Sequence, residues 1–169
     1  MARRNLMAAC ALACACAGAG AQEDGGVHAL AHTYAGAAAS AVLPQGGAGM
    51  RPLAGATLRL GWYAVDTFAL EGAASWLEDR TGLAAKALWH LQGWEAWGRL
   101  FGYERFDPFL TAGVQGWLDH GQVGPTAGLG AFYYLTDNWA LRADADVTLG
   151  LDSAPAAVYT LSAGVQYDF

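Results

Sequence analysis

Seven residues have the types and spacing to do electrostatic chemistry: Arg59, Glu71, Lys86, His90, Arg142, Asp144 and Asp146. Arg142, Asp144 and Asp146 stand two apart, which places them on one face of an extended chain. Opposite charges collected on a face away from water must neutralise one another, because an unpaired buried charge is costly. The set reads as a charge network across a narrow interior, with Arg59 and Glu71 as its best pair. The same residues could line a narrow, gated ion path, and the sequence leaves that alternative open.

Other chemistry finds less support. A hydrolase needs a nucleophile, a base and an orienting carboxylate brought together. Ser75, Ser162, His32, His90 and Glu71 supply the types, but no His-x-Ser pair occurs and no spacing singles out a triad. His28 and His32 would share a face of an extended segment. A metal site would also need a residue such as Asp144 or Asp146, and nothing in the sequence joins them. His28, His32, His90 and His120 are therefore read as polar residues of an interior or rim. Gly46-Gly47 lacks the strand–loop–helix setting and the Lys-Ser/Thr end of a phosphate loop. No enzyme activity, metal or cofactor is expected.

The elements that would position these charges alternate with a period of two. Ala56, Leu58, Leu60 and Trp62 alternate with Thr57, Arg59, Gly61 and Tyr63 across a strand predicted at Ala54–Tyr63. Phe68, Leu70, Gly72, Ala74 and Trp76 alternate with Ala69, Glu71, Ala73 and Ser75 across Phe68–Trp76. A turn centred on Val65 would set Trp62 against Phe68, Leu60 against Leu70 and Arg59 against Glu71. Trp139–Leu149 is the clearest case, with Arg142, Asp144 and Asp146 opposite Leu141 and Val147. Val158–Phe169 repeats the pattern. Thr126–Leu135 and a strand opened by Asp107-Pro108 do so with more glycine, and Trp117 falls on the charged face at the latter's end. A first strand is predicted over Val27–Ala38, with a loop at Ala39–Met50.

The least regular segment starts near Leu83 and runs towards Leu100. Ala85, Ala87, Trp89 and Leu91 alternate with Lys86, His90 and Gln92, but the phase blurs at 93–97. A helix is the rival there; a strand is preferred because its neighbours need a partner. The total is eight strands with both ends on one side. Short connections on that side fall at Val65, near Tyr103 and at Asp137. The four opposite connections are Ala39–Met50, Leu77–Gly82, Leu118–Pro125 and Gly150–Ala157.

The N-terminus has the three parts of an export signal. Arg3 and Arg4 precede an apolar stretch at 6–17, and Ala19 and Ala21 fit a small-x-small cleavage rule. Residues 1–21 are therefore expected to be a cleavable signal peptide and 22–169 the mature domain. Cys10, Cys14 and Cys16 lie inside that signal, so the mature chain would carry no disulfide or thiolate site. A lipid anchor on one of these cysteines lacks the usual preceding leucine. Without Arg3 and Arg4, 7 basic residues face 15 acidic ones, a formal net charge of −8. That surface repels phosphate backbones, and nucleic acid is not an expected partner.

Beyond the signal no apolar run reaches helix-spanning length, whereas barrel strands need only about ten alternating residues. A soluble barrel or sandwich would also alternate. It would bury Leu60, Leu70, Leu141 and Val147, whereas a membrane barrel turns them outward. Trp62, Phe68, Tyr133, Trp139, Tyr167 and Phe169 fall near strand ends on one rim, and Tyr34, Trp76 and Tyr159 on the other. Amphipathic rings favour the headgroup level, so these are read as aromatic girdles.

Four stretches in this order resemble the small Gram-negative outer-membrane β-barrel family, the opacity-type, porin-like group. They are Ala54-Gly-Ala-Thr-Leu-Arg-Leu-Gly-Trp-Tyr63 with Phe68-Ala-Leu-Glu-Gly-Ala-Ala-Ser-Trp76, and Asp107-Pro-Phe-Leu-Thr-Ala-Gly-Val-Gln-Gly-Trp117. The others are Gly128-Leu-Gly-Ala-Phe-Tyr-Tyr-Leu-Thr-Asp-Asn-Trp-Ala-Leu-Arg-Ala-Asp144 and Ala163-Gly-Val-Gln-Tyr-Asp-Phe169. The resemblance implies an all-β, eight-stranded antiparallel up-and-down transmembrane barrel in the bacterial outer membrane, monomeric, its lumen plugged by charged residues. It implies contact with lipid and lipopolysaccharide, and with the assembly machinery and periplasmic chaperones, Phe169 resembling the assembly signal. The expected role is structural, in envelope integrity or surface contact. A narrow low-conductance pore and a surface-binding module acting through the outward loops are the alternatives. Outward loops this short depart from family members that bind host surfaces.

Overall fold

In a computed structural model the chain is described over residues 33–44, 52–78, 80–91, 105–119, 122–150 and 157–169. Eight strands close on themselves: β1 (Thr33–Pro44), β2 (Leu53–Val65), β3 (Phe68–Leu77), β4 (Thr81–His90), β5 (Phe106–Trp117), β6 (Gln122–Tyr134), β7 (Trp139–Leu149) and β8 (Ala157–Asp168). Each pairs antiparallel with its sequence neighbours, and β1 pairs with β8, so the sheet has no open edge. No described helix is long and apolar enough to cross a membrane. One rim carries the start of β1, the end of β8 and the connections after β2, β4 and β6, and is called the inner rim. The outer rim carries the other four connections.

Side chains divide as the alternation demands. Leu58, Leu60, Trp62, Leu70, Leu129, Leu141, Leu161 and Val165 lie on the outside, Leu129 at 62% exposure. Arg59, Glu71, Lys86, Arg142, Asp144 and Asp146 are buried inside. A soluble barrel would reverse this, since so wide an apolar surface in water marks a site that must be covered.

Several expected boundaries move. The first strand, described from Thr33, continues to Pro44 into the segment expected to be a loop, and residues 27–32 of the expected strand lie outside those described. Its run of alanines and glycine has little contrast between faces, so the sequence could not fix its ends. Tyr34 consequently opens β1 at the inner rim and points into the lumen, instead of marking the outer rim. In the β2–β3 hairpin a bulge between Tyr63 and Val65 moves the turn to Asp66-Thr67. Trp62 then faces Leu70, Leu60 faces Gly72 and Arg59 faces Ala73, a two-residue slip from the expected register. A slip of two leaves every side chain on its expected face.

β4 is a strand, which removes the helical alternative over 81–90. The described strand ends at His90, opposite Phe109 of β5, and the rest of the expected run towards Leu100 lies outside the described residues. One further bond of that ladder is described, Leu91 N donating to Pro108 O. Residues 92–104, with the turn expected near Tyr103, lie outside those described. β6 begins at Gln122, inside the expected loop at Leu118–Pro125. The expected signal at 1–21 and His28, His32 and His120 also lie outside the described residues.

Three close fits set how the strands approach. Tyr34 lies over Gly61, Trp117 over Gly82 and Phe109 over Gly130, each pair being direct cross-strand partners. A Cβ at Gly61 would sit 2.0 Å from the Tyr34 ring, and one at Gly130 2.4 Å from the Phe109 ring. The inward glycines thus provide floor space for lumen aromatics.

Candidate functional site: the charged lumen

The lumen is filled in layers. At its middle, β2, β3, β7 and β8 bring Arg59, Glu71, Arg142, Asp144 and Ser162 together. Arg142 grips Glu71 with both terminal nitrogens, Nη2 donating to Oε1 at 3.1 Å and Nη1 to Oε2. Its Nε donates to Asp144 Oδ1 at 3.0 Å. Arg59 Nη2 donates to Asp144 Oδ2 at 3.0 Å and to Ser162 Oγ at 2.6 Å. Ser162 in turn donates to Asp144 Oδ2 at 2.8 Å. Tyr34 Oη donates to Glu71 Oε2 at 2.9 Å. Such bidentate, charge-assisted contacts fix geometry as well as charge.

The pairing differs from the sequence expectation. Arg59 approaches Glu71 only to 3.7 Å, beyond hydrogen-bond distance, and its main partner is Asp144. Glu71 belongs chiefly to Arg142. Arg59 and Glu71 are not opposed on the β2–β3 ladder, and partners across a lumen are set by closure of the whole barrel. Beside this group Lys86 donates to Asp146 Oδ2 at 2.5 Å, and Thr111 Oγ1 to Asp146 Oδ1 at 2.8 Å.

His90 stands apart, towards the inner rim. Its Nδ1 meets Asp107 Oδ2 at 2.5 Å, and its ring stacks on Phe132 with 5.7 Å between centroids. Tyr34, Tyr63, Leu88, Phe109, Phe132, Tyr134 and Ala140 fill the same level. The Arg142 guanidinium lies 4.9 Å from the Phe109 centroid and 5.2 Å from that of Phe132, linking charge layer to aromatic layer by cation–π contact. Gln166 donates to Asp168 Oδ1 at 2.8 Å.

Above the charges, hydroxyls pair: Ser40 with Thr57 at 2.7 Å and Thr57 with Ser75 at 2.8 Å. The outer end is apolar, formed by Val42, Leu53, Leu77 and Trp117 with Val158 against them. Trp117, the one outlier of its strand's expected pattern, is thus part of an apolar cap. No group of three or more potential ligands is arranged for a metal among the described residues.

Outside, Trp62, Phe68, Tyr133, Trp139, Tyr167 and Phe169 lie towards the inner rim, and Trp76 and Tyr159 towards the outer one. Phe68 meets Trp89 edge-on at 5.0 Å, Trp139 meets Tyr167 at 5.0 Å, and Tyr167 meets Phe169 at 5.1 Å. Trp89 joins a cluster the sequence did not assign it to.

A closed, all-antiparallel sheet of eight strands, greasy outside and charged within, is a distinctive combination. It is the fold of the small outer-membrane barrels. Neisserial surface protein A superposes with a TM-score of 0.60 at 16% identity, over 82% of this chain and 97% of that one. The N-terminal barrel domain of OprF from Pseudomonas aeruginosa gives 0.57 at 18% identity, over 82% and 98%. A de novo designed transmembrane β-barrel gives 0.58 at 15% identity, over 88% and 100%. By sequence, no protein-family model and no curated protein matches the chain. The likeness to designed and natural barrels alike is a likeness of fold.

The residues missed by sequence reasoning are Asp107, Tyr34, Phe109, Phe132, Tyr63 and Tyr134. The signal was present for the aromatics: each occupies an inward position of the alternation, and Tyr34 and Phe109 each oppose a glycine. Asp107, standing before Pro108, carries only the sequence signal of a strand opener.

Proposed function

We propose that this chain is a structural protein of the Gram-negative outer membrane, its barrel closed to solute flow and serving envelope integrity or surface contact. The carrying observation is that every level of the described lumen is occupied: an apolar cap, hydroxyl pairs, a paired charge layer and an aromatic layer. A solute would have to part Arg142 from Glu71 and Asp144, leaving charges unpaired where little water can replace the lost partners. On this reading residues 1–21 are the export signal. The exposed Leu and Val belt contacts lipid, the rim aromatics sit at headgroup level, and Phe169 is read by the assembly machinery.

The barrel is read as non-enzymatic. His90 is engaged with Asp107 among aromatic rings, whereas Ser162 is spent between Arg59 and Asp144, and Ser75 bonds Thr57. The test has two parts. Full-length protein expressed in a Gram-negative host should fractionate with outer membranes and migrate differently on gels before and after boiling. The folded protein in planar bilayers should give no channel openings. Discrete openings would favour the narrow pore, for which a small cavity beside the charge layer is the supporting feature.

A further inference from the structure

A cavity of about 20 Å³ lies between the charge layer and the outer cap, walled by Arg59, Ser75, Lys86, Gln115, Asp146 and Thr160 among others. Its size suits one species no larger than a few atoms. Its lining carries two cations, Arg59 and Lys86, and one carboxylate, Asp146. Arg59 is 7% exposed and its Nε–H has no hydrogen-bond partner, since Glu71 stays at 3.7 Å. Lys86 is buried and spends one of three N–H donors on Asp146. The Thr160 hydroxyl is buried without a partner. Asp146, the one carboxylate in the wall, is offset by Lys86 and also accepts from Thr111, which leaves Arg59 as the cation in excess among the lining residues.

Two cationic side chains with unspent donors, a lone hydroxyl and a neutralised carboxylate are the complement of a small sphere that only accepts hydrogen bonds. We propose that this cavity is a binding site for a single small monovalent anion of the chloride class. The anion would accept from Arg59 Nε, Lys86 Nζ and Thr160 Oγ1. A neutral water would fill the space without answering the lining's excess of one positive charge. The inference needs the barrel fold alone and stands whether or not the barrel conducts.

The test uses bromide, which scatters anomalously. Crystals of the folded barrel grown in sodium bromide should show an anomalous peak within hydrogen-bond distance of Arg59 and Lys86. The peak should vanish in K86Q/D146N, which keeps a polar pair but removes both charges. An ordered water with no anomalous signal there would overturn the proposal, as would bromide found only on the outer surface. A second measurement covers failure of that variant to fold. The unfolding midpoint of wild-type protein in detergent should rise with bromide over isethionate at equal ionic strength, because a ligand of the folded state stabilises it. T160V should show a smaller rise, and equal midpoints of the wild type in the two salts would refute the site.

Discussion

Replacing Arg142 by Met tests the charge layer where it is most concentrated. Arg142 is 3% exposed, holds both oxygens of Glu71 and one of Asp144, and lies over two aromatic rings. Methionine keeps an unbranched apolar stem over Phe109 and Phe132, so lost packing is a minor part of the effect. What changes is electrostatic: two cations, Arg59 and Lys86, remain for the three carboxylates Glu71, Asp144 and Asp146. Removing one partner of a buried pair costs about 3–5 kcal/mol. The lower end applies, because Arg59 already bonds Asp144 and sits 3.7 Å from Glu71. R142M should therefore lower folding stability by about 3 kcal/mol. E71Q/R142M should recover most of it, since the introduced amide oxygen still accepts from Tyr34 and Asp144 keeps Arg59 and Ser162. Urea titration of folding into lipid vesicles, read by tryptophan emission, gives both numbers. A loss for R142M under about 1 kcal/mol, the worth of an exposed pair, would refute the buried network. So would a double variant no better than the single one.

Three further substitutions probe the other layers. L129R puts a charge on an outward side chain near the middle of β6 and should cost about 2–4 kcal/mol in vesicle refolding, where a water-facing position would cost almost nothing. G61A drives a methyl into the Tyr34 ring and should cost about 1–3 kcal/mol by overpacking. As its control, G72A, whose added Cβ would meet nothing closer than 3.9 Å, should be near neutral in the same urea assay. W117A opens the outer cap while leaving the charge layer intact, so planar-bilayer recordings should stay silent; openings would show that the cap, not the charges, closes the lumen.

The facing of side chains was legible because it depends on alternation within one strand. β7 shows this best: Trp139, Leu141 and Ala143 against Arg142 and Asp144 leave no second phase. Register was less legible, because it depends on a turn. The β2–β3 pairs from Gly55 to Tyr63 are shifted by two at the bulge at Tyr63/Val65, and nothing in Ala64-Val65-Asp66 announces it. The extent of β1 beyond Ala38 was hidden by a segment of near-uniform small residues. In the lumen, the residue set was readable and the partners were not. Arg59 prefers Asp144, 85 positions away, over the nearby Glu71, a choice fixed only when β1 meets β8. The inward aromatics could have been found by asking which aromatic residues oppose glycine across a ladder.

The central claim is that the apolar face meets lipid and the charged face meets itself. Spin labels placed singly at positions 60, 129 and 165, and at 148, test it in protein refolded into bilayers. The first three should be relaxed strongly by oxygen and weakly by a water-soluble nickel complex, and the label at 148 weakly by both. Strong relaxation by nickel at 60, 129 and 165 would place that face in water and contradict the account.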